Sequence, residues 1–258
     1  MKKFFLKHFC CYSCNHNDYK EDDDEELTDF IINSLGESNS YLLQHLRNRF
    51  IKKEKTFTHR DLLNACSIGQ VEMVKKIILC LKFQSHYTDF NFNINFQCGN
   101  GWTPLLEATK FVARNGIEGF KIVNLLLNYD ADINIPNHHG WTPLLFSVKD
   151  TNYKLSQLLL KDNANVNCQN TSGYTPIMYA CKNNDEITLR MLLKQNPSFA
   201  IMNKKEGTLV WDYLINDSAC EDLILEYSKH YIDIIINTNN RYLSVDVLNI
   251  ICNYLAYY

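Results

Sequence analysis

Three short phrases recur along the chain: Gly101-Trp102-Thr103-Pro104-Leu105-Leu106, Gly140-Trp141-Thr142-Pro143-Leu144-Leu145 and Gly173-Tyr174-Thr175-Pro176-Ile177-Met178. Their threonines stand 39 and then 33 residues apart, and a further 33 residues lead to Thr208 in Glu206-Gly207-Thr208-Leu209-Val210. Self-similarity at such a period means a stack of like units. Each phrase reads as the opening of a helix. The Thr hydroxyl can accept from a free N–H of the first turn. Pro follows where a missing N–H costs nothing, and the Gly before it permits a tight turn.

A second helix follows in each unit, at Ile122-Val123-Asn124-Leu125-Leu126-Leu127, Leu155-Ser156-Gln157-Leu158-Leu159-Leu160 and Leu189-Arg190-Met191-Leu192-Leu193. Exit loops come next, as in Asp130-Ala131-Asp132-Ile133-Asn134 and Asn163-Ala164-Asn165-Val166-Asn167. A unit of 33 residues that opens with Thr-Pro-Leu resembles the ankyrin repeat. The resemblance implies an all-α solenoid of helix-turn-helix units joined by β-hairpin loops, with helical caps. It covers residues 58–227 as about five units, the first and last degenerate. The His usual after Thr-Pro-Leu is replaced by Leu106, Leu145 and Met178, which apolar packing accommodates.

Two insertions interrupt the period. About ten extra residues lie between Leu79 and Asn95, around Gln84-Ser85-His86-Tyr87-Thr88-Asp89. Six more lie between the helices of the Trp102 unit, where either the first helix is longer or Gly116 and Gly119 break a loop. The last unit lacks the Pro, yet helices at 209–215 and 222–227 fit the pattern. Ile232-Asp233-Ile234-Ile235-Ile236 reads equally as a strand or a buried helix turn.

The flanks differ from the array. Residues 1–26 hold Cys10, Cys11 and Cys14 near a basic, aromatic tip, then an acidic run, Glu21-Asp22-Asp23-Asp24-Glu25-Glu26. These cysteines read as free thiols of an unstructured tail, as S-acylation sites giving peripheral membrane attachment, or as metal ligands with His8 or His16. Residues 27–57 carry apolar residues three and four apart and read as an N-terminal helical cap, a cover that stacked arrays need. Residues 228–258 end in an amphipathic helix. Its Leu243-Ser244-Val245-Asp246-Val247-Leu248, with Ile251, Tyr254 and Leu255, resembles the opening of an F-box. Truncated F-box-like ends of this kind are found in ankyrin proteins of large DNA viruses. The same spacing also describes a plain capping helix.

A net charge of −3 gives no global attraction to nucleic acid or to an anionic membrane. Ten cysteines are scattered, several at expected core positions such as Cys66 and Cys181, which reads as reduced thiols in a cytoplasmic compartment. If the viral resemblance holds, that compartment is a host cell's. No run approaches the ~20 apolar residues of a membrane span. Met1-Lys2-Lys3-Phe4-Phe5-Leu6 begins like a signal peptide, but Lys7 and His8 interrupt it.

No phosphate-binding Gly loop, nucleophile elbow or His-Glu-x-x-His occurs, and the cysteines offer no second pair at finger distance from Cys11 and Cys14. The expectation is therefore a non-enzymatic interaction scaffold with no cofactor, no resident metal and no nucleic-acid partner. In the family, hairpin tips and the inner helix face meet partners. That assigns partner binding to Trp102, Trp141 and Tyr174, one per unit, and to the tip residues Asn100, His138 and His139. The three rings either form a ladder along one face or each pack on their own hairpin. The alternative function is a substrate adaptor of a cullin-type ubiquitin ligase. There Leu243, Val247, Leu248, Ile251 and Leu255 would engage a Skp1-type adaptor. Asn134 stands in the context in which ankyrin asparagines are hydroxylated.

Overall fold

The computed structural model describes residues 57–87, 90–112, 116–215 and 218–238. All belong to one unit, Phe57–Tyr258. The tail with Cys10, Cys11 and Cys14, the proposed N-terminal cap and the stretch 243–255 lie outside the described residues.

The helices run in order: α1 His59–Ile68, α2 Val71–Tyr87, α3 Pro104–Val112, α4 Gly116–Asn128, α5 Pro143–Lys149, α6 Tyr153–Lys161, α7 Pro176–Lys182 and α8 Glu186–Leu193. A 3₁₀ turn at Val210–Tyr213 and α9, Ala219–Thr238, close the array. Helices α1, α3, α5, α7 and the 3₁₀ turn pack side by side as an inner row. Behind them α2 meets α4, α6 meets α8 and α8 meets α9. This is the all-α ankyrin solenoid that the repeat predicts. Among the described residues the hairpins carry no strand, only an isolated bridge between Asn203 and Thr208. Tight turns close the others. The N–H groups of Cys98, Asn137 and Asn170 donate to the carbonyls of Trp102, Trp141 and Tyr174.

The opening phrases act as their chemistry dictates. The hydroxyls of Thr103, Thr142 and Thr175 accept from the N–H groups of Leu106, Leu145 and Met178 at 3.2, 3.3 and 3.4 Å. Pro occupies the first helical position after each. The caps aim the following apolar pairs into the core. Leu105, Leu106, Leu144, Leu145, Ile177 and Met178 are buried, and each such side chain contributes about 1.5–3 kcal/mol. Leu106, Leu145 and Met178 are 0%, 0% and 1% exposed, so apolar side chains fill the positions where the resemblance would place a His. The first unit has a cap as well, at Thr58, whose side chain and Asp61 form a reciprocal capping box.

Asparagines tie the exit loops together. Asn95 Oδ1 accepts from Asp132 N–H, Asn134 Oδ1 from Asn165 N–H and Asn167 Oδ1 from Ser198 N–H, at 2.8, 2.8 and 2.7 Å. Each bond crosses from one unit to the next, so stacking is fixed by polar geometry as well as by apolar burial. Gln97 and Gln169 bridge hairpins likewise, donating to the Pro136 and Met202 carbonyls at 2.9 Å.

The irregular parts depart from expectation in three ways. Both insertions lengthen helices: α2 reaches 17 residues and α4 13, against 9 in α6 and 8 in α8. Helix α3, at 9 residues against 7 in α5 and α7, is the longer first helix that is one of the two expectations. Gly116 is the first residue of α4, and Gly119 lies inside the helix without breaking it. Gly119 serves close packing, since a Cβ there would stand 2.7 Å from Val112 Cα. In the last unit the expected helix at 209–215 is a single 3₁₀ turn, because neither Pro nor a capping hydroxyl opens it. Its hairpin is one residue longer, with Asn203 N–H donating to Thr208 O and Gly207 taking the positive φ of 69°. The segment 232–236 lies within α9, which settles it as helix.

Candidate functional site

The inner row of helices carries the candidate surface. Trp102, Trp141 and Tyr174 directly precede the capping threonines, so the cap geometry of each unit sets its ring at the same place. The three rings are interleaved with a second set. Trp102 meets Phe146 at 5.4 Å between centroids, Phe146 stacks on Trp141 at 4.7 Å, and Trp141 stacks on Tyr179 at 5.7 Å. Tyr179 stacks on Tyr174 at 4.8 Å, and Tyr174 meets Tyr213 at 5.4 Å. The result is an unbroken row of six rings. Trp141 and Tyr174 therefore each pack on a ring of their own unit and on one of the next, and Trp102 packs on a ring of the next unit. Trp102 and Trp141 are half-buried and Tyr174 is buried. Aromatic pairs of this kind add roughly 0.5–1.5 kcal/mol beyond their area.

A lysine caps each hairpin ring. The ammonium groups of Lys110, Lys149 and Lys182 lie 4.7, 5.0 and 4.7 Å from the centroids of Trp102, Trp141 and Tyr174. Each lysine is eight residues after its ring, in the last turn of α3, α5 or α7. Phe146, Tyr179 and the lysines escaped the sequence reading, although their register was available: the second rings stand five residues after Trp141 and Tyr174. Glu107 breaks that pattern in the first complete unit.

At the C-terminal end the row is fixed by a polar cluster. Tyr174 O–H donates to Glu206 Oε1 at 2.8 Å and Tyr213 O–H to Glu206 Oε2 at 2.6 Å. Lys182 Nζ donates to Tyr174 Oη at 2.9 Å, and Asn203 Nδ2 to Tyr213 Oη at 2.9 Å. The two phenol hydrogen bonds, that of Tyr213 first, hold the Glu206 carboxyl below its ordinary range. Burial and the bond to Glu206 raise the Tyr174 and Tyr213 phenols.

The hairpin tips are joined from unit to unit. His138 N–H donates to Asn100 O at 3.2 Å and Thr171 N–H to His139 O at 2.9 Å, leaving the side chains of Asn100, His138 and His139 exposed. Asn134 is exposed, but its side-chain oxygen is held by Asn165 N–H.

Four of the described thiols are held away from the nucleophilic thiolate form. Burial raises the Cys66 and Cys181 thiols and pushes Cys168 up to about 11. Among the described residues no group of three or more His, Cys, Asp or Glu side chains converges as a metal site. None of the described helices is long and apolar enough to cross a membrane.

Paired helices stacked in register, capped by Thr-Pro and tied through hairpin tips, define a repeat array whose unit-to-unit variation lies on its surface. A family model for ankyrin repeats, three copies long, matches residues 62–170 and, in an overlapping placement, 111–205. Together the matches span more than half of the 258 residues, and the chain belongs to the ankyrin-repeat family. Ankyrin repeats generally mediate protein–protein interaction and are typically non-enzymatic. A search of curated proteins finds no match.

Proposed function

We propose that this protein is a non-enzymatic scaffold that binds a protein partner along the concave, inner-helix face and the hairpin tips. The six-ring row with its three lysines carries the reading. The row is continuous across four units and keeps two indoles half-exposed. Aromatic side chains dominate binding energies at interfaces. The exposed Asn100, His138 and His139 extend the same face at the tips. Cytoplasmic residence is supported by the free thiols Cys66, Cys98, Cys168, Cys181 and Cys220.

The test is affinity capture with mass spectrometry from cells that make the protein, wild type against Trp102→Ala/Trp141→Ala. Circular dichroism establishes that the variant keeps its helices. A partner recovered by the wild type and lost by the folded variant is the expected result. An unchanged set of partners would refute the assignment. The second reading, a ubiquitin-ligase substrate adaptor, rests on the F-box-like spacing of Leu243, Val247, Leu248, Ile251 and Leu255. It predicts that a Skp1-type adaptor is captured and that Val247→Asp/Leu248→Asp abolishes the capture. Peripheral membrane attachment through acylated Cys10, Cys11 and Cys14, and hydroxylation of Asn134, are separate proposals. Mass spectrometry of the purified protein reads both.

A further inference from the structure

Resting on that reading, we infer that the inner face binds an extended acidic segment of its partner, with carboxylates at every third residue. Among the described residues, a hairpin ring with a lysine eight residues later recurs in the three central units. In the first unit the residue aligned with Lys110 is Ser67, and the last unit has no lysine at the equivalent position. A cation in the last turn complements the helix dipole, but Lys161 and Arg190 meet that need on α6 and α8. The dipole does not require a ring beneath each inner lysine at a centroid distance of 4.7–5.0 Å. The ring restrains the long stem in advance, so less side-chain entropy is lost when a carboxylate arrives.

The spacing selects the partner's conformation. Neighbouring units stack about 8–10 Å apart, as packed helices do. An extended chain rises about 3.3 Å per residue, so three residues cover about 10 Å. Carboxylates at i, i+3 and i+6 would meet Lys110, Lys149 and Lys182 in turn. Internal acids weight these positions unequally. Glu206 already lies close enough to Lys182 to feel its charge. Glu107, on the same helix as Lys110, acts on the Cys66 thiol of α1. Lys149 is exposed. Glu107 also stands three residues before Lys110, one turn away on α3. Lys149 therefore carries the largest share of the selection, and the ring row supplies apolar contact beside it.

The experiment is selection of a random peptide library on the intact, full-length protein, followed by affinity measurement on the winners. Enrichment of Asp and Glu at three-residue spacing is the expected result. Lys110→Glu and Lys149→Glu should each weaken the selected peptides by about tenfold or more, with the melting temperature held. Lys149→Gln should give a smaller loss. Winners with no acidic bias that still fail on folded Trp102→Ala/Trp141→Ala would overturn this inference and leave the interaction face standing. Winners that bind that variant as tightly as the wild type would overturn both. A library that enriches nothing counts against the inference, because the lysines were then not poised for a peptide. Displacement by a single-stranded oligonucleotide and not by an acidic peptide would reassign the row to a phosphate backbone.

Discussion

Phe146→Tyr should stabilise the protein by about 1 kcal/mol, and the reason lies in one buried amide. Asn137, 4% exposed, accepts from His139 N–H at 2.9 Å and Trp141 N–H at 3.1 Å through Oδ1. That orientation leaves its Nδ2 buried, with no partner among the described residues. The next two units solve the same problem. Asn170 Nδ2 donates to Tyr179 Oη at 3.2 Å and Asn203 Nδ2 to Tyr213 Oη at 2.9 Å. Phe146 stands where Tyr179 stands one unit later, and stacks on Trp141 at 4.7 Å as Tyr179 stacks on Tyr174 at 4.8 Å. A para hydroxyl on Phe146 would reach the orphaned amide. A hydrogen bond contributes about 0.5–1.5 kcal/mol net, and an unsatisfied buried group costs about 1–3. The new hydroxyl also loses some hydration, so about 1 kcal/mol is expected. That corresponds to about 2–4 °C in Tm for a chain of this size. Urea unfolding followed by circular dichroism reads it, provided the denaturant slope is unchanged. The mirror variant, Tyr179→Phe, should lose about the same amount by orphaning Asn170 Nδ2. If both variants are neutral, the Asn–Tyr pairs contribute nothing and the reasoning is wrong.

Two further outcomes follow from single contacts. His59 Nε2 accepts from Asn93 N–H at 2.9 Å, with the imidazole stacked at 5.0 Å on Phe90 and on Phe96, and burial lowers its pKa. A lowered pKa means the neutral ring is favoured on folding. Its stabilisation is therefore present above the ordinary value of 6.5 and lost as pH falls through the lower folded value. His59→Gln should flatten that part of the stability profile, and an unchanged profile would exclude His59 as its source. Gly119→Ala should cost about 1–3 kcal/mol, because its Cβ would press on the Val112 backbone at 2.7 Å. A neutral result in thermal unfolding would show that α4 can shift away from α3.

Local chemistry was readable wherever one residue decides one geometry. Thr142 and Thr175 specify their helix starts because a hydroxyl and the following Pro act within a single turn. The last unit could not be read as reliably: without that pair, only its contacts decide between α-helix and 3₁₀ turn. Gly119 is ambiguous in sequence, since a glycine that breaks a helix and one that admits a close neighbour look alike. Half of the ring row was visible, because Trp102, Trp141 and Tyr174 belong to the repeated phrase. Phe146 and Tyr179 sit inside helices, where an aromatic reads as core. The bonds from Tyr174 and Tyr213 to Glu206 join two units across an irregular hairpin. No periodicity predicts a partner 32 residues away, as Glu206 is from Tyr174.

The central claim is that the inner-helix face and hairpin tips meet the partner, and site-specific photo-cross-linking in cells tests it most directly. A photoreactive residue is placed at His139 on a tip, at Lys182 beside the ring row and at Gln157 on the exposed side of outer helix α6. The account predicts one discrete adduct of the same partner from His139 and Lys182, and none from Gln157. An adduct from Gln157 alone, or from none of the three, would contradict it.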